Sequence, residues 1–191
     1  MNGNSDYNIL LRAMEPEDID AIYRWENDPS VWSDSAAHQP FSRQVLSRFI
    51  EESSGADIYS CRQLRLMAEK EEIMRTENGK RGCKNVFCRH NTVGCIDLFD
   101  FDPYHRRAGV GIIVDSQYRR QGIGMQMLLA LEEFASQHLL IHQLHCIISA
   151  YNDASVALFE KASYVRCGTL SQWIFSCDKW IDAFTYQKIL E

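Results

Sequence analysis

Between Val110 and Leu131 an apolar strand runs into Arg119-Arg120-Gln121-Gly122-Ile123-Gly124 and then at once into an amphipathic helix. Glycines at 122 and 124 remove side chains where the backbone must turn and approach a ligand closely. Successive free amides at a helix start, at the positive end of its dipole, form an anion site. Arg119 and Arg120 stand beside it and supply charge-assisted hydrogen bonds. The expected ligand is a phosphate or pyrophosphate. Two common phosphate loops are excluded. No Gly-Lys-Ser/Thr follows the glycines, and the three glycines of the dinucleotide fingerprint, with an acid about 20 residues on, are missing.

Composition narrows the class further. A chain of 191 residues reads as one compact domain, and its 46% hydrophobic and 24% charged residues suit a water-soluble α/β protein. The formal net charge of −6 argues against nucleic acid as a partner and suits a cationic substrate. No apolar run approaches the ~18 residues of a membrane span, so no membrane partner is expected. Met1-Asn-Gly-Asn-Ser-Asp6 has neither the basic nor the apolar region of a signal peptide. The seven cysteines are scattered and odd in number, which points to a reducing cytoplasm. Cys83, Cys88, His90 and Cys95 match no paired-ligand spacing for zinc, so no metal is expected.

Along the chain, Ile9–Arg12 reads as a strand, and Pro16, followed by Glu17 and Asp18, opens a helix. Ser42 is placed to cap a second helix with Val45, Leu46, Phe49 and Ile50 on its apolar face. Gln63–Ala68 alternates as a strand, and the polar stretch Lys70–Asn91, with Asn78-Gly79, reads as an extended hairpin turn. Thr92–Asp102 and Arg107–Val114 form two strands around Pro103-Tyr104. A helix over Met125–His138 places Met127, Leu128, Leu131, Phe134 and Ala135 on one face. Gln143–Ala150 follows as a strand, then a helix within Tyr151–Tyr164 and closing strands at Tyr164–Leu170 and Asp182–Leu190.

The loop and the segment Asn152-Asp-Ala-Ser-Val-Ala-Leu-Phe-Glu-Lys-Ala-Ser-Tyr164 together resemble the GCN5-related N-acetyltransferases (GNAT). Those enzymes carry Arg/Gln-x-x-Gly-x-Gly/Ala, followed by Asn-x-x-Ser/Ala-x-x-Leu-Tyr-Glu-Lys-x-Gly-Phe. Asn152, Ser155, Leu158, Glu160 and Lys161 match; Phe159 and Ser163 stand where tyrosine and glycine are usual. Val93–Gly109, with Asp97, Asp100 and His105-Arg-Arg-Ala108, is similar to the bacterial spermidine/spermine N-acetyltransferases. Gly109 replaces a glutamate that those enzymes associate with the polyamine site. The ribosomal-protein N-terminal acetyltransferases share the Asn152–Ser155 arrangement.

The resemblance implies a single N-acetyltransferase domain over residues 1–191, ordered from about residue 8. Its α/β fold would have a mixed, mostly antiparallel central sheet flanked by helices, with splayed strands forming an acetyl-CoA cleft. It implies acetyl-CoA as co-substrate, held by Ile112, Ile113, Val114, Arg119, Arg120, Gln121, Gly122, Ile123, Gly124, Met125, Asn152, Ser155, Phe159 and Lys161. The reaction implied is direct attack of an uncharged primary amine on the thioester in a ternary complex. Asp97 and Asp100 would hold the acceptor's distal charge, the acceptor being a polyamine or, alternatively, a peptide N-terminus. A non-catalytic acyl-CoA-binding protein is the remaining alternative, and a homo-oligomer is compatible with each. Ser155, with Asn152, would assist the departing thiolate in place of the hydroxyl that Phe159 lacks. Ser155 has a competing reading as a helix-start hydroxyl, and Asn152 one as a cap. Tyr151 and Tyr164 are spare acids, and Cys146 reads as a core residue rather than a nucleophile.

Overall fold

The computed structural model describes residues 7–29, 39–77, 84–176 and 178–190. One seven-stranded sheet organises them, in the order β1-β2-β3-β4-β5-β7-β6. The strands are β1 (Tyr7–Arg12), β2 (Leu64–Glu77), β3 (Lys84–Asp102), β4 (Arg107–Val114), β5 (Gln143–Ser149), β6 (Val165–Ser176) and β7 (Lys179–Ile189). The helices are α1 (Ile19–Glu26), α2 (Arg43–Gly55), the short α3 (Ile58–Cys61), α4 (Ile123–Gln137) and α5 (Asp153–Lys161). Every pairing is antiparallel except β4 with β5. This is the single-domain, mostly antiparallel α/β arrangement expected from the sequence.

Alternation along the strands gives the sheet two covered faces. On one face Ile96, Leu98, Val110, Leu144, Cys146 and Ile148 meet Met127, Leu128 and Leu131 of α4 and Phe159 of α5. On the other, Met67 and Cys95 pack against Ile22 and Trp25 of α1 and Leu46 and Ile50 of α2. Ser42 caps α2, its hydroxyl accepting from the Val45 amide at 3.3 Å. Val45 itself is 52% exposed, so the apolar face of α2 is narrower than expected. The helix opening at Pro16 begins as a 3-10 turn over Pro16–Asp18 before α1.

The polar stretch after Ala68 departs most from the sequence reading. Instead of a long turn, β2 and β3 stay paired in register from Leu64↔Leu98 out to Glu77↔Lys84, with a bulge at Ala68/Glu69. The sequence of this ribbon carries no sustained apolar alternation, so the period-2 signal is lost although the backbone ladder persists. Asn78-Gly79 lies outside the described residues. The β6–β7 hairpin is likewise longer than expected, and bulges at Arg166/Gly168 and Leu170/Ile174 break its alternation. The helix expected from Met125 starts two residues earlier, at Ile123.

A charged cluster fastens the start of α1 to the sheet. The Arg12 guanidinium donates to both oxygens of Asp18, at 2.6 and 2.8 Å, and to Glu69 at 2.6 Å. The buried Asp18 also accepts from the Glu15 amide at 2.9 Å. Burial alone would raise the Asp18 pKa; the bonds from Arg12 and Glu15 outweigh it and hold the carboxyl below its ordinary range. A depressed carboxyl contributes stability that is present above its unfolded pKa, about 3.9, and is lost as pH falls through the folded value. Asp18→Asn is therefore expected to cost about 1–3 kcal/mol at neutral pH by leaving Arg12 with Glu69 as its one carboxylate partner in the cluster. In denaturant unfolding at several pH values the gap to wild type should close below about pH 4; a gap that stays constant with pH would contradict the assignment.

Candidate active site

β4 and β5 run side by side for only three residue pairs, Arg107↔Gln143, Ala108↔Leu144 and Gly109↔His145. Beyond Gly109, β4 remains paired to β3 as far as Val114↔Gly94, and β5 remains paired to β7 as far as Ser149↔Ala183. The two strands therefore diverge, leaving a slot between backbone edges. The Asp115 amide donates to the Val93 carbonyl on the β3 side. Backbone groups alternate sides along a strand, so those of Ile113 and Gly111 also point to β3, the Val110 amide is taken up by the last β5 pair, and the groups of Ile112 and Val114 point into the slot. Open strand edges pair readily with an extended ligand. Ile113 offers only its side chain, which packs beside the α1–α2 cluster.

At the end of β4 the chain forms the turn expected from the sequence to hold an anion. Asp115 caps a 3-10 turn over Ser116–Tyr118 through the Gln117 amide at 3.0 Å. Arg120 then takes φ 61° and Gly122 φ 79°, after which α4 begins with no side chain capping it. Two left-handed residues around the first amides of a helix make an anion-binding nest. A left-handed arginine costs about 1–2 kcal/mol, strain of the kind that collects at functional sites. A Cβ on Gly122 would meet no atom within 4 Å, so the backbone twist and the open space above it call for glycine, not packing. Gly124 differs: its Cβ would lie 3.3 Å from Leu158 and 3.5 Å from Val114, which seats α4 against α5.

Three tethers hold this loop. The Tyr7 hydroxyl donates to the Gln121 carbonyl at 3.0 Å and accepts from Gln126 at 3.2 Å. Arg119 folds back, its Nε donating to the Val114 carbonyl at 3.1 Å. Asp115 accepts from Arg24 at 2.7 Å and from the Trp25 indole at 2.9 Å, linking α1 to the loop. Burial would raise the Asp115 pKa, but these bonds and the Gln117 amide lower it overall, so Asp115 stays ionised. Arg120, Gln121 and Gly122 are exposed and Met125 is half-buried, whereas the Ile123 side chain is core and can offer a ligand only its amide.

On the far side of the slot, Asn152 caps α5, its Oδ1 accepting from the Ser155 amide at 3.0 Å. Phe159 is 2% exposed and meets Tyr164 edge-on, ring centroids 4.9 Å apart. Tyr164 is no spare acid: burial, reinforced by Glu132, pushes its hydroxyl well above the ordinary range. Tyr151 is exposed. Burial, with Cys167 nearby, pushes the Cys146 thiol up to about 12, which fits a core residue and not a nucleophile. Lys161 is exposed in the last turn of α5, one turn beyond Leu158.

The two aspartates expected at the acceptor site differ in situation. Asp97 is engaged: Arg65 donates to both its oxygens at 2.8 Å and also to Glu26. Arg65 is only 18% exposed, so Asp97 belongs to a largely buried cluster and is no free counter-ion. Asp100 is exposed, with φ 50°, at the irregularity between β3 and β4. A Cβ on Gly109 would lie 2.3–2.7 Å from ring atoms of Phe99. The Phe99 ring thus fills the room that a glutamate at 109 would need. Arg65, Glu26, Phe99 and His145 surround this face without having been singled out from the sequence; only the Phe99–Gly109 pair carried a local sign, in the unexpected glycine.

Among the described residues there is no cluster of three metal-ligating side chains, and no helix is long and apolar enough to cross a membrane. Cys83 and the Cys88 side chain lie outside the described residues. A groove of about 800 Å³ lies elsewhere, between α4 and β6–β7 beside Leu129, Glu132, Gln187 and Ile189, and none of the expected site residues lines it.

A split sheet whose open strand leads into an anion nest has the layout of an acyl-CoA-dependent acyltransferase. The family model described as Acetyltransferase (GNAT) domain matches residues 8–165. The SPbeta prophage-derived uncharacterized N-acetyltransferase YokL of Bacillus subtilis (strain 168) is 25% identical over 179 residues, 94% of this chain and 88% of that one. Spermidine N(1)-acetyltransferase of Escherichia coli (strain K12) is 21% identical over 171 residues, 90% of this chain and 80% of that one. The crystal structure of spermidine N-acetyltransferase from Vibrio cholerae, in complex with CoA and spermine, matches at a TM-score of 0.76 and 18% identity over 96% of both chains. A dodecameric structure of the Vibrio cholerae enzyme matches at a TM-score of 0.70 and 18% identity, over 96% of this chain and 94% of that one. The chain belongs to the GNAT acetyltransferase family, acetyl-CoA-dependent enzymes.

Gly122→Val is expected to abolish the rise in melting temperature that acetyl-CoA confers by mass action. The β-branched side chain resists the left-handed backbone and enters the space over the nest. A variant that keeps the full acetyl-CoA shift would remove Gly122 from the cofactor site.

Proposed function

We propose that this protein transfers the acetyl group of acetyl-CoA to a primary amine of a small polyamine, spermidine or spermine foremost, by direct attack in a ternary complex. The observation that carries the reading is the slot between β4 and β5 opening beside the nest at Arg120–Gly124. In it the pyrophosphate rests on the first amides of α4, with Arg119, Arg120 and Gln121 around it. The pantetheine arm pairs with the slot-facing backbone of Ile112 and Val114, and Ile113 and Met125 support the strand and helix behind it. An amide of β4 polarises the thioester oxygen; one such donor is typically worth about 3–4 kcal/mol in the transition state.

The polyamine acceptor rests on the spermidine acetyltransferases among the relatives and on charge. Arg65 is shared between the carboxylates of Asp97 and Glu26, which places acidic groups on this face. Exposed Asp100 adds another at the rim. Both favour a cation through the field; Asp97 does so from within its ion pair. The Ser155 hydroxyl, one turn before Phe159, takes the part of the absent tyrosine hydroxyl toward the departing thiolate. Asn152 holds that turn and Lys161 adds positive charge further along α5. We place the protein in the cytoplasm, as a homo-oligomer that needs neither nucleic acid nor membrane. The odd cysteine count and the dodecameric relative support the first two points.

Thiol release from acetyl-CoA should be fastest with spermidine and spermine, slower with peptides bearing free N-termini, and slowest with aminoglycosides. Asp100→Asn should raise the polyamine KM several-fold with kcat little changed. Ser155→Ala should lower kcat more than acetyl-CoA affinity. A preference for peptide N-termini would move the protein to the N-terminal acetyltransferases, whose Asn-x-x-Ser arrangement Asn152 and Ser155 share. Acetyl-CoA binding with no amine turned over would make it a binding protein.

A further inference from the structure

His145 ends the parallel pairing of β4 and β5, opposite Gly109, at the point where the slot opens. Its neighbours Leu144 and Cys146 enter the core under α4, so its imidazole points to the opposite face of the sheet. There it meets Phe99 edge-on, centroids 6.2 Å apart and planes at 74°. Between the two lies Gly109, whose missing side chain lets the Phe99 ring lean across β4. The result is an aromatic floor with an imidazole at its edge.

The other face of the slot is closed. α4 and α5 meet there, with Leu158 against the backbone at Gly124. An amine approaching a thioester held in the slot therefore comes across the face that Phe99 and His145 share. The Val110 carbonyl and the Ile112 amide, where the slot begins, lie one and three positions beyond Gly109, about 3–10 Å along the strand. The near end of that range is within reach of the His145 imidazole, directly or through one water.

We propose that His145 is the proton acceptor for the attacking amine, with the Phe99 ring as the surface on which the amine's methylene chain lies. This rests on the acetyltransferase reading above. The substrate arrives as an ammonium with no free lone pair. One proton passes to the His145 imidazole, and the freed nitrogen pair bonds to the thioester carbon. The C–S bond breaks, the second nitrogen proton is shed, and CoA thiolate takes up a proton, giving the acetamide and free CoA. Protonated His145 then returns its proton to solvent.

The surroundings keep His145 ready for this role. Burial lowers its pKa most; Arg107 of β4 lowers it further, while Asp100 of β3 and the Ala108 carbonyl oppose the shift. β7 places the uncharged Gln187 opposite. The net displacement is downward, so the imidazole is the free base at neutral pH.

The test is the pH dependence of kcat/KM for wild type, His145→Gln and His145→Phe with spermidine. His145→Phe keeps an aromatic ring against Phe99 but no base. Both variants should keep the acetyl-CoA melting shift, which shows fold and cofactor site intact. Wild type should be flat in kcat/KM above about pH 6.5. Both variants should fall about 10²–10⁴-fold near neutrality and climb about tenfold per pH unit through pH 7–9, as they come to depend on the free amine. Variants that keep wild-type rates and a flat profile overturn the assignment and leave the acetyltransferase reading standing. A wild type inert toward every amine overturns that reading, and this assignment with it.

Discussion

Everything the site does depends on β4 and β5 pairing for three residues and then parting. Had the ladder continued, the backbone groups of Ile112 and Val114 would be consumed by β5 and no extended ligand could enter. Divergence is affordable because each strand has an antiparallel partner on its outer side, β3 for one and β7 for the other. The helices then fill what the split leaves open on one face. Leu158 of α5 reaches Gly124 at the start of α4, and that contact fixes the nest relative to the open strand. Tyr7 and the Asp115–Arg24–Trp25 bonds fix it from the other side.

Two substitutions relative to the family pattern make sense as packing. The resemblance puts Gly109 where related enzymes carry a glutamate, and the Phe99 ring occupies the room that such a side chain would need. Phe159 stands where a tyrosine is usual and is buried edge-on against Tyr164. A hydroxyl there would have to be desolvated or reach into the slot. The proposed polar roles therefore fall to Ser155 on α5 and His145 on β5.

Much of this was legible in the sequence because it is local. The bounds of β4, the glycine turn into α4, and the caps at Ser42 and Asn152 are each set by residues within a few positions of one another. What was not legible is long-range or lacks periodicity. Nothing near Asp97 in the chain shows that Arg65, thirty-two positions earlier, satisfies both its oxygens. The sequence of the β2–β3 ribbon is polar and without apolar alternation and so reads as a turn, although its ladder continues to Glu77↔Lys84. Ile123 looked like a ligand contact because it sits inside the loop motif, yet its side chain anchors α4 in the core. His145 gave no sign of its own: a lone histidine on an alternating strand acquires significance only once β4 is seen to leave β5 beside it.

The central claim is that the open edge of β4 and the first turn of α4 together hold acetyl-CoA. Residue-resolved amide exchange with and without acetyl-CoA tests it most directly. The account predicts that the Ile112 and Val114 amides and the first amides of α4 slow on binding, while the Ile113 amide, already directed to β3, changes little. Unchanged exchange at Ile112, Val114 and the start of α4, with slowing instead around the groove beside Leu129 and Ile189, would contradict it.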